Sequence, residues 1–230
     1  MVGLLKDEVM FKEFIKNIVP ELERDEVIIG ILAARKKYVP ELSRSDEILD
    51  KIIVKREEDV FRKFRKFMRV EKGDYIDFNT GQEIPLNAMV CYIDLNPKSS
   101  IKALNTFFKE MDDWKYQAIV DHQFDLSQFR KLDTKVFSAL ARRVSRRLYF
   151  LVDVDDTELN RYPSILPDPL WISRTRGGYH LIYSNSKEIR SEVYNTVSQY
   201  NLNVEIQKEV QTPVPGSLQG GRQVYPCIWR

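Results

Sequence analysis

Phe150-Leu151-Val152-Asp153-Val154-Asp155-Asp156 is an apolar run that ends in carboxylates at alternating positions. Alternate residues of a β-strand share a face, so a strand here points Asp153 and Asp155 the same way, their oxygens placed to hold a divalent ion. Two carboxylates on one strand face are costly without positive charge close by. A metal ion is the natural candidate, and the flanking sequence is read for what would use it.

Downstream, a loop with Pro163, Pro167 and Pro169 leads to Leu170 through Tyr183, a stretch interrupted by Gly177-Gly178. The glycine pair reads as a tight turn or bulge between strand pieces that brings backbone close to a ligand. Ser186 can cap a helix with Ile189, Val193 and Val197 on one side, followed by the short strand Leu202 to Ile206. Thr212 to Arg222 is a stiff loop rich in turn residues.

Upstream, Asp133 or Thr134 opens a helix with Val136, Phe137, Leu140 and Val144 inward. Arg142, Arg143, Arg146 and Arg147 crowd its end, where cations suit the helix dipole; they read equally as a solvated face or a phosphate patch. Ala88 to Leu95 is a continuous apolar strand ending at Asn96-Pro97. Polar residues of Tyr92 to Pro97 either line the same site or close the strand in a turn. Ser99 or Ser100 caps a helix with Ile101, Leu104, Phe108 and Met111 on one side, Trp114 to Val120 reads as another strand, and residues 121–132 are irregular.

Roughly residues 5–69 read as helical. Phe11, Phe14, Ile15 and Ile18 share a helical face closed by Pro20. Asp25 caps a second helix with Ile28, Ile31 and Leu32 inward, followed by Arg35-Lys36-Lys37-Tyr38. A third runs from Ser45 to Met68 with Val60, Phe61, Phe64 and Phe67 as its buried stripe. A composition shift at Glu71-Lys72-Gly73-Asp74 divides the chain into a helical N-terminal region, 1–70, and an α/β (or α+β) core, 71–230, in which two sheet-and-helix subdomains with mixed sheets form a cleft.

The bulk numbers set limits. At 230 residues, 43% hydrophobic and 30% charged, the chain can bury a sizeable core and is not disordered. Cys91 and Cys227 form no metal-binding pair and read as reduced thiols of a cytoplasmic protein. Lys6, Asp7 and Glu8 argue against a signal peptide, and no stretch is apolar enough to span a bilayer. A net charge of +2 makes any electrostatic footprint local.

Three features follow in order: the Asp153/Asp155 strand, a Ser/Arg/Gly/Gly/His turn, and a strand with a single carboxylate, Glu205. Three converging carboxylates can hold two divalent ions, the arrangement that clamps attacking and leaving oxygens in phosphoryl or nucleotidyl transfer. All-oxygen ligands suit Mg²⁺ or Mn²⁺. His180, Arg174 and Arg176 can supply donors for a triphosphate. Against this, an Asp pair can simply cap a strand-end turn, Glu205 can face solvent, and His122, with nothing around it, reads as a packed or surface residue.

Asp153-Val154-Asp155, then Arg176-Gly177-Gly178-Tyr179-His180, then Val204-Glu205-Ile206 followed by Val214-Pro215-Gly216-Ser217-Leu218-Gln219-Gly220-Gly221, resembles the three-motif order of the archaeo-eukaryotic primase superfamily. The resemblance covers roughly residues 88–225. It implies template-directed nucleotidyl transfer on single-stranded DNA from nucleoside triphosphates, in a DNA primase or polymerase. Asp153, Asp155 and Glu205 would hold the metals and His180 and Arg176 the triphosphate. Ser173 or Thr175 would stand for the family's small hydroxyl residue, and Arg222 would be a further phosphate ligand. Glutamate replaces the usual aspartate of the third motif, and Glu209 is the reserve carboxylate. The absence of a zinc knuckle and helicase module points to a minimal virus- or plasmid-like form, acting with a helicase or other replication protein. A metal-dependent nuclease and a non-catalytic binding module are the rival readings.

Overall fold

Ile28, Ile31 and Leu32 have helical spacing, yet Val27 to Ala34 is apolar or glycine at every position and rich in β-branched residues, as a strand covered on both faces requires. The computed structural model describes residues 3–40, 42, 46–77, 80–121, 132–155, 159 and 162–229, and in it this run is a strand. In chain order the elements are α1 (Glu8–Ile18), β1 (Glu26–Arg35), β2 (Asp46–Val54), α2 (Val60–Met68), β3 (Met89–Ser99), α3 (Ser100–Tyr116), α4 (Leu132–Ala141), β4 (Tyr149–Val154), β5 (Trp171–Arg174), β6 (Tyr179–Ser184), α5 (Lys187–Gln199), β7 (Glu205–Gln207), β8 (Gln211–Pro213), β9 (Leu218–Gln219), β10 (Arg222–Gln223) and β11 (Tyr225–Pro226). Among the described residues the fold is mixed α+β, with two antiparallel sheets and five α-helices.

The helical reading of residues 1–70 is corrected. Two strands separate α1 from α2, and β1 pairs with β2 on one side and β3 on the other, so the first sheet draws on chain from both sides of residue 70. Ser45, expected to open the third helix, lies outside the described residues. At Gly30 an added Cβ would collide with the Phe64 ring, which shows how directly α2 rests on β1.

The first sheet has the order β10-β9-β3-β1-β2, with β8 also on β3. The second has the order β11-β5-β6-β4-β7. Mixed sheets were expected, but every ladder of both is antiparallel. The crossover helix α5 joins β6 to β7, which flank β4 instead of touching each other, so the crossover creates no parallel ladder.

Alternation sorts the side chains of β1 and β3 to two faces. Ile28, Leu32, Cys91, Ile93 and Leu95 meet Phe11, Phe14, Phe64 and Phe67 of α1 and α2, and this same core takes in Leu151, Trp171 and Ile182 of the second sheet. Val27, Ile29, Ile31, Val90 and Tyr92 meet Ala103, Phe137 and Leu140 of α3 and α4 on the other face. The outer face of the second sheet is covered by Val193, Ile189 and Val197 of α5 together with Tyr162 and Leu166.

Asn96 ties the sheets together. Fully buried, it accepts from the Leu148 and Tyr149 N–H groups (2.9 and 3.0 Å) and donates to the Tyr149 and Lys208 carbonyls (3.0 and 3.2 Å). These bonds use both donors and both lone pairs of its amide. β3 therefore does not end at Asn96-Pro97 as expected but runs on to Ser99.

Ser99 caps α3 through Lys102 N–H, and Ser186 caps α5 through Ile189 N–H. The expected strand at Trp114 to Val120 is corrected: α3 runs to Tyr116 and a π-helical turn covers Gln117–Asp121, because no breaker interrupts helix propagation there. The apolar side of α3 is also turned. Ser100 bonds Asp25 O through both its N–H and its hydroxyl, and with the start so fixed the small Ala103 meets the sheet while Ile101, Leu104 and Phe108 are exposed. The irregular stretch expected over 121–132 lies almost wholly outside the described residues. Among the described residues, no helix is long and apolar enough to cross a membrane.

Candidate functional site

In β4 the side chains of Leu151 and Asp153 point the same way. Leu151 stands in register with Ile182, and Ile182 with Trp171, and this apolar row belongs to the shared core. Two residues further along the strands the same face carries a polar row: Ser173 on β5, His180 on β6, Asp153 on β4 and Glu205 on β7, each in register with its neighbour. Sheet pairing thus joins residues from three separate stretches of sequence, with Asp153 between His180 and Glu205.

The His180 ring bridges the two sheets. Its Nδ1 lies 3.0 Å from Thr212 Oγ1 on β8, and its Nε2 lies 3.5 Å from Asp153 Oδ1. Burial pushes the imidazole down to about 4, with the Lys37 ammonium adding to the effect, so the ring is neutral at pH 7. Asp153 moves the other way: burial first, then the charges of Asp155 and Glu205, raise its carboxyl to about 6 against the opposing pull of Lys37. The Asp153–His180 contact at neutral pH is therefore between a carboxylate and an uncharged ring.

Ser173 is fully buried and its hydroxyl accepts from Trp171 Nε1 at 2.9 Å. Thr175 closes the following turn, its N–H donating to Gly178 O (2.8 Å) and its hydroxyl accepting from Gly178 N–H (3.2 Å). Both candidate hydroxyls thus have structural partners. The expected close approach at Gly177-Gly178 is to protein: a Cβ at Gly178 would collide with Val154 O, so the turn presses on the end of β4 and sets Gly177 beside Asp155.

Arg174, Arg176 and Arg222 come together with the Gly177-Gly178 backbone, Tyr179 and Tyr225 around a cavity of about 150 Å³. That is smaller than the roughly 300–1,000 Å³ of drug-sized pockets and suits phosphate groups better than a whole nucleotide. Arg174 faces the Tyr179 and Tyr225 rings (5.8 and 5.9 Å). Arg176 lies over the Tyr38 ring at 4.7 Å, donates from Nη1 to Gly220 O (2.6 Å), and its N–H donates to Gln219 Oε1 (2.8 Å). The lining of this cavity stops at the turn and does not reach His180, Asp153 or Glu205.

Comparison with protein-family models, curated proteins and solved structures found no match.

Other candidates lie elsewhere. Glu209 acts on Asp94, not on Asp153, so Glu205 is the carboxylate aligned with the row. Asp94 itself is buried in an ion pair with Lys98 (2.7 Å), and Tyr92 OH accepts from Arg35 Nη1 (2.8 Å), so Tyr92 to Pro97 serves packing. Arg146 grips the buried Glu26 through Nε and Nη2 (2.8 and 2.6 Å), Arg142 pairs with Glu110, and Arg143 Nε donates to Thr106. Three of the four arginines thus hold segments together. His122 and Asp156 lie outside the described residues.

Among the described residues, no group of three His, Cys, Asp or Glu side chains is gathered into a ready-made metal cluster. The electrostatics of the row nevertheless fit a divalent cation. Asp153 is held up by burial and two neighbouring carboxylates, with Lys37 as the opposing positive charge, and carboxylate oxygens are the ligands Mg²⁺ or Mn²⁺ takes. Asp153, Asp155 and Glu205 are the residues that would hold it. Sequence reading missed Thr212, Lys37, Tyr38 and Gln219. The basic run at Arg35 to Tyr38 was visible, but reading the chain before it as a helix hid where it leads.

Proposed function

We propose that this chain catalyses template-directed nucleotidyl transfer on single-stranded DNA, as a primase or primase-polymerase whose two sheets form the halves of a catalytic cleft. The observation that carries the reading is the register row: a neutral imidazole and two carboxylates, Asp153 and Glu205, side by side on one sheet face, with Asp155 just past the end of the strand. The residues that meet on this face are those on which the sequence resembles the primase superfamily's motif order.

In this reading Asp153, Asp155 and Glu205 hold Mg²⁺ or Mn²⁺, which when bound supplies charge stabilisation for the attacking and leaving oxygens. His180 keeps its proton on Nε2 when Thr212 Oγ1 donates to Nδ1, and Nε2–H then donates to a triphosphate oxygen. A neutral donor avoids burying an imidazolium. Arg174, Arg176 and Arg222 bind the outer phosphates, and the turn built on Gly178 keeps that basic cavity next to Asp155. The primer 3′-hydroxyl, or a first nucleotide in initiation, attacks the α-phosphate and pyrophosphate leaves.

The test is incubation with a single-stranded DNA template, labelled nucleoside triphosphates and Mn²⁺, following product length and pyrophosphate together. Template-dependent lengthening with pyrophosphate release supports the reading. Shortening of the DNA supports a nuclease instead, and nucleotide binding without pyrophosphate release a binding module.

A further inference from the structure

The cations assigned so far lie on the second sheet or on the β9–β10 hairpin, yet the positive charge that acts on both Asp153 and His180 comes from the β1–β2 connection. The chain turns tightly after β1, with Tyr38 N–H donating to Arg35 O at 3.0 Å and Val39 N–H to Lys36 O at 3.1 Å. The Tyr38 ring is then wedged between Arg176 and Gly220, where an added Cβ on Gly220 would collide with both. Anchoring Tyr38 in this way positions the backbone of its neighbour, and the Lys37 ammonium lies 5.4 Å from the Tyr38 ring, exposed to solvent. No ion pair with a carboxylate holds it among the described residues. An exposed lysine beside the ring that stacks on Arg176, and held in no ion pair among the described residues, is available to an anion that arrives there.

We propose, building on the nucleotidyl-transfer reading, that Lys37 is a phosphate-binding residue of this site, contacting non-bridging oxygens of the triphosphate beside Arg176, against which its neighbour Tyr38 is stacked. The site is then composite, with carboxylates and imidazole from the second sheet and a cation from the first. Lysine suits this place, since its compact ammonium on a flexible stem follows a phosphate whose geometry changes during transfer. Lys36, the adjacent exposed lysine, provides the internal control.

The experiment is calorimetric titration of the wild type, K37A, K37R and K36A with Mg²⁺-tripolyphosphate and with Mg²⁺-ATP, alongside Mn²⁺ binding followed by electron paramagnetic resonance. Loss of a charge-assisted contact is expected to weaken tripolyphosphate and ATP binding to K37A by roughly ten- to a hundredfold, with K37R recovering most of it. K36A stays within about twofold of the wild type, as a solvated surface charge should. Mn²⁺ binding is retained in K37A, since the ammonium is no ligand. Wild-type affinity in K37A, equal weakening in K36A, or a K37R as weak as K37A would each overturn the role of Lys37 alone. A wild type that binds neither tripolyphosphate nor ATP would overturn the nucleotidyl-transfer reading with it.

Discussion

Asp94 and Asp153 are carboxylates on inner strands of the two sheets, and burial raises the pKa of both. Their surroundings differ. Asp94 has Lys98 at 2.7 Å and the Asn96 N–H at 3.2 Å, so its charge is answered inside the fold. Asp153, with its side chain 26% exposed, faces a neutral ring at 3.5 Å and the charges of two more carboxylates. One is a completed structural pair; the other is an acid kept in an electrostatically unfavourable place, which marks it for binding or chemistry.

The sharpest way to separate them is to remove Asp153 and Asp155 together. D153A/D155A is expected to lose nucleotidyl transfer by about a thousandfold or more, read as pyrophosphate release, with no loss of thermal stability, because metal-binding carboxylates act on the transition state. K98A should do the reverse. It leaves a buried charge without its partner and is expected to cost about 3–5 kcal/mol in urea unfolding, whereas K98M/D94L recovers most of that. Equal loss of stability in D153A/D155A and K98A would erase the distinction.

Smaller effects test the same contrast. Mn²⁺ is expected to raise the melting temperature of the wild type and of D94N, but not of D153N, since a ligand stabilises only the state that binds it; saturation at a hundred times Kd is worth about 2.7 kcal/mol. With chelator present, the pH dependence should split by residue. Asp153 titrates near 6 when folded against an ordinary 3.8, so its contribution is full below 3.8 and is lost as pH rises through 6. His180 titrates near 4 against 6.5, so its contribution is full above 6.5 and is lost as pH falls toward 4. The two slopes oppose each other between pH 4 and 6. D153N should therefore gain stability across that window as pH rises, and H180Q should lose it, in melts at pH 4, 5 and 6. Parallel curves would show that the row is not coupled as described.

Much of the candidate site is local in the sequence. The apolar run into Asp153, the glycine pair before His180 and the isolated Glu205 each carry their own strand or turn signal, and antiparallel register then aligns them without further information. The first sheet was harder to read. Ile28, Ile31 and Leu32 satisfy a helical period by accident in a run with almost no polar residues, so periodicity could not decide, and only pairing with β3 does. The outward face of α3 was lost for a related reason: its rotation is set by Asp25, far away in sequence. Thr212 reaches His180, and Tyr38 reaches Arg176, through sheet-to-sheet packing, which no local pattern encodes.

Asn96 has one more property, set by the residue that follows it. A buried asparagine whose four bonds join two sheets would be a weak point over the life of the protein if it deamidated, because an aspartate cannot donate the two bonds its amide group makes. Deamidation ordinarily begins when the next backbone nitrogen loses its proton and attacks the side-chain amide. Here the next residue is Pro97, whose ring nitrogen has no proton to lose. The link between the sheets is thereby shielded from the commonest route of asparagine ageing.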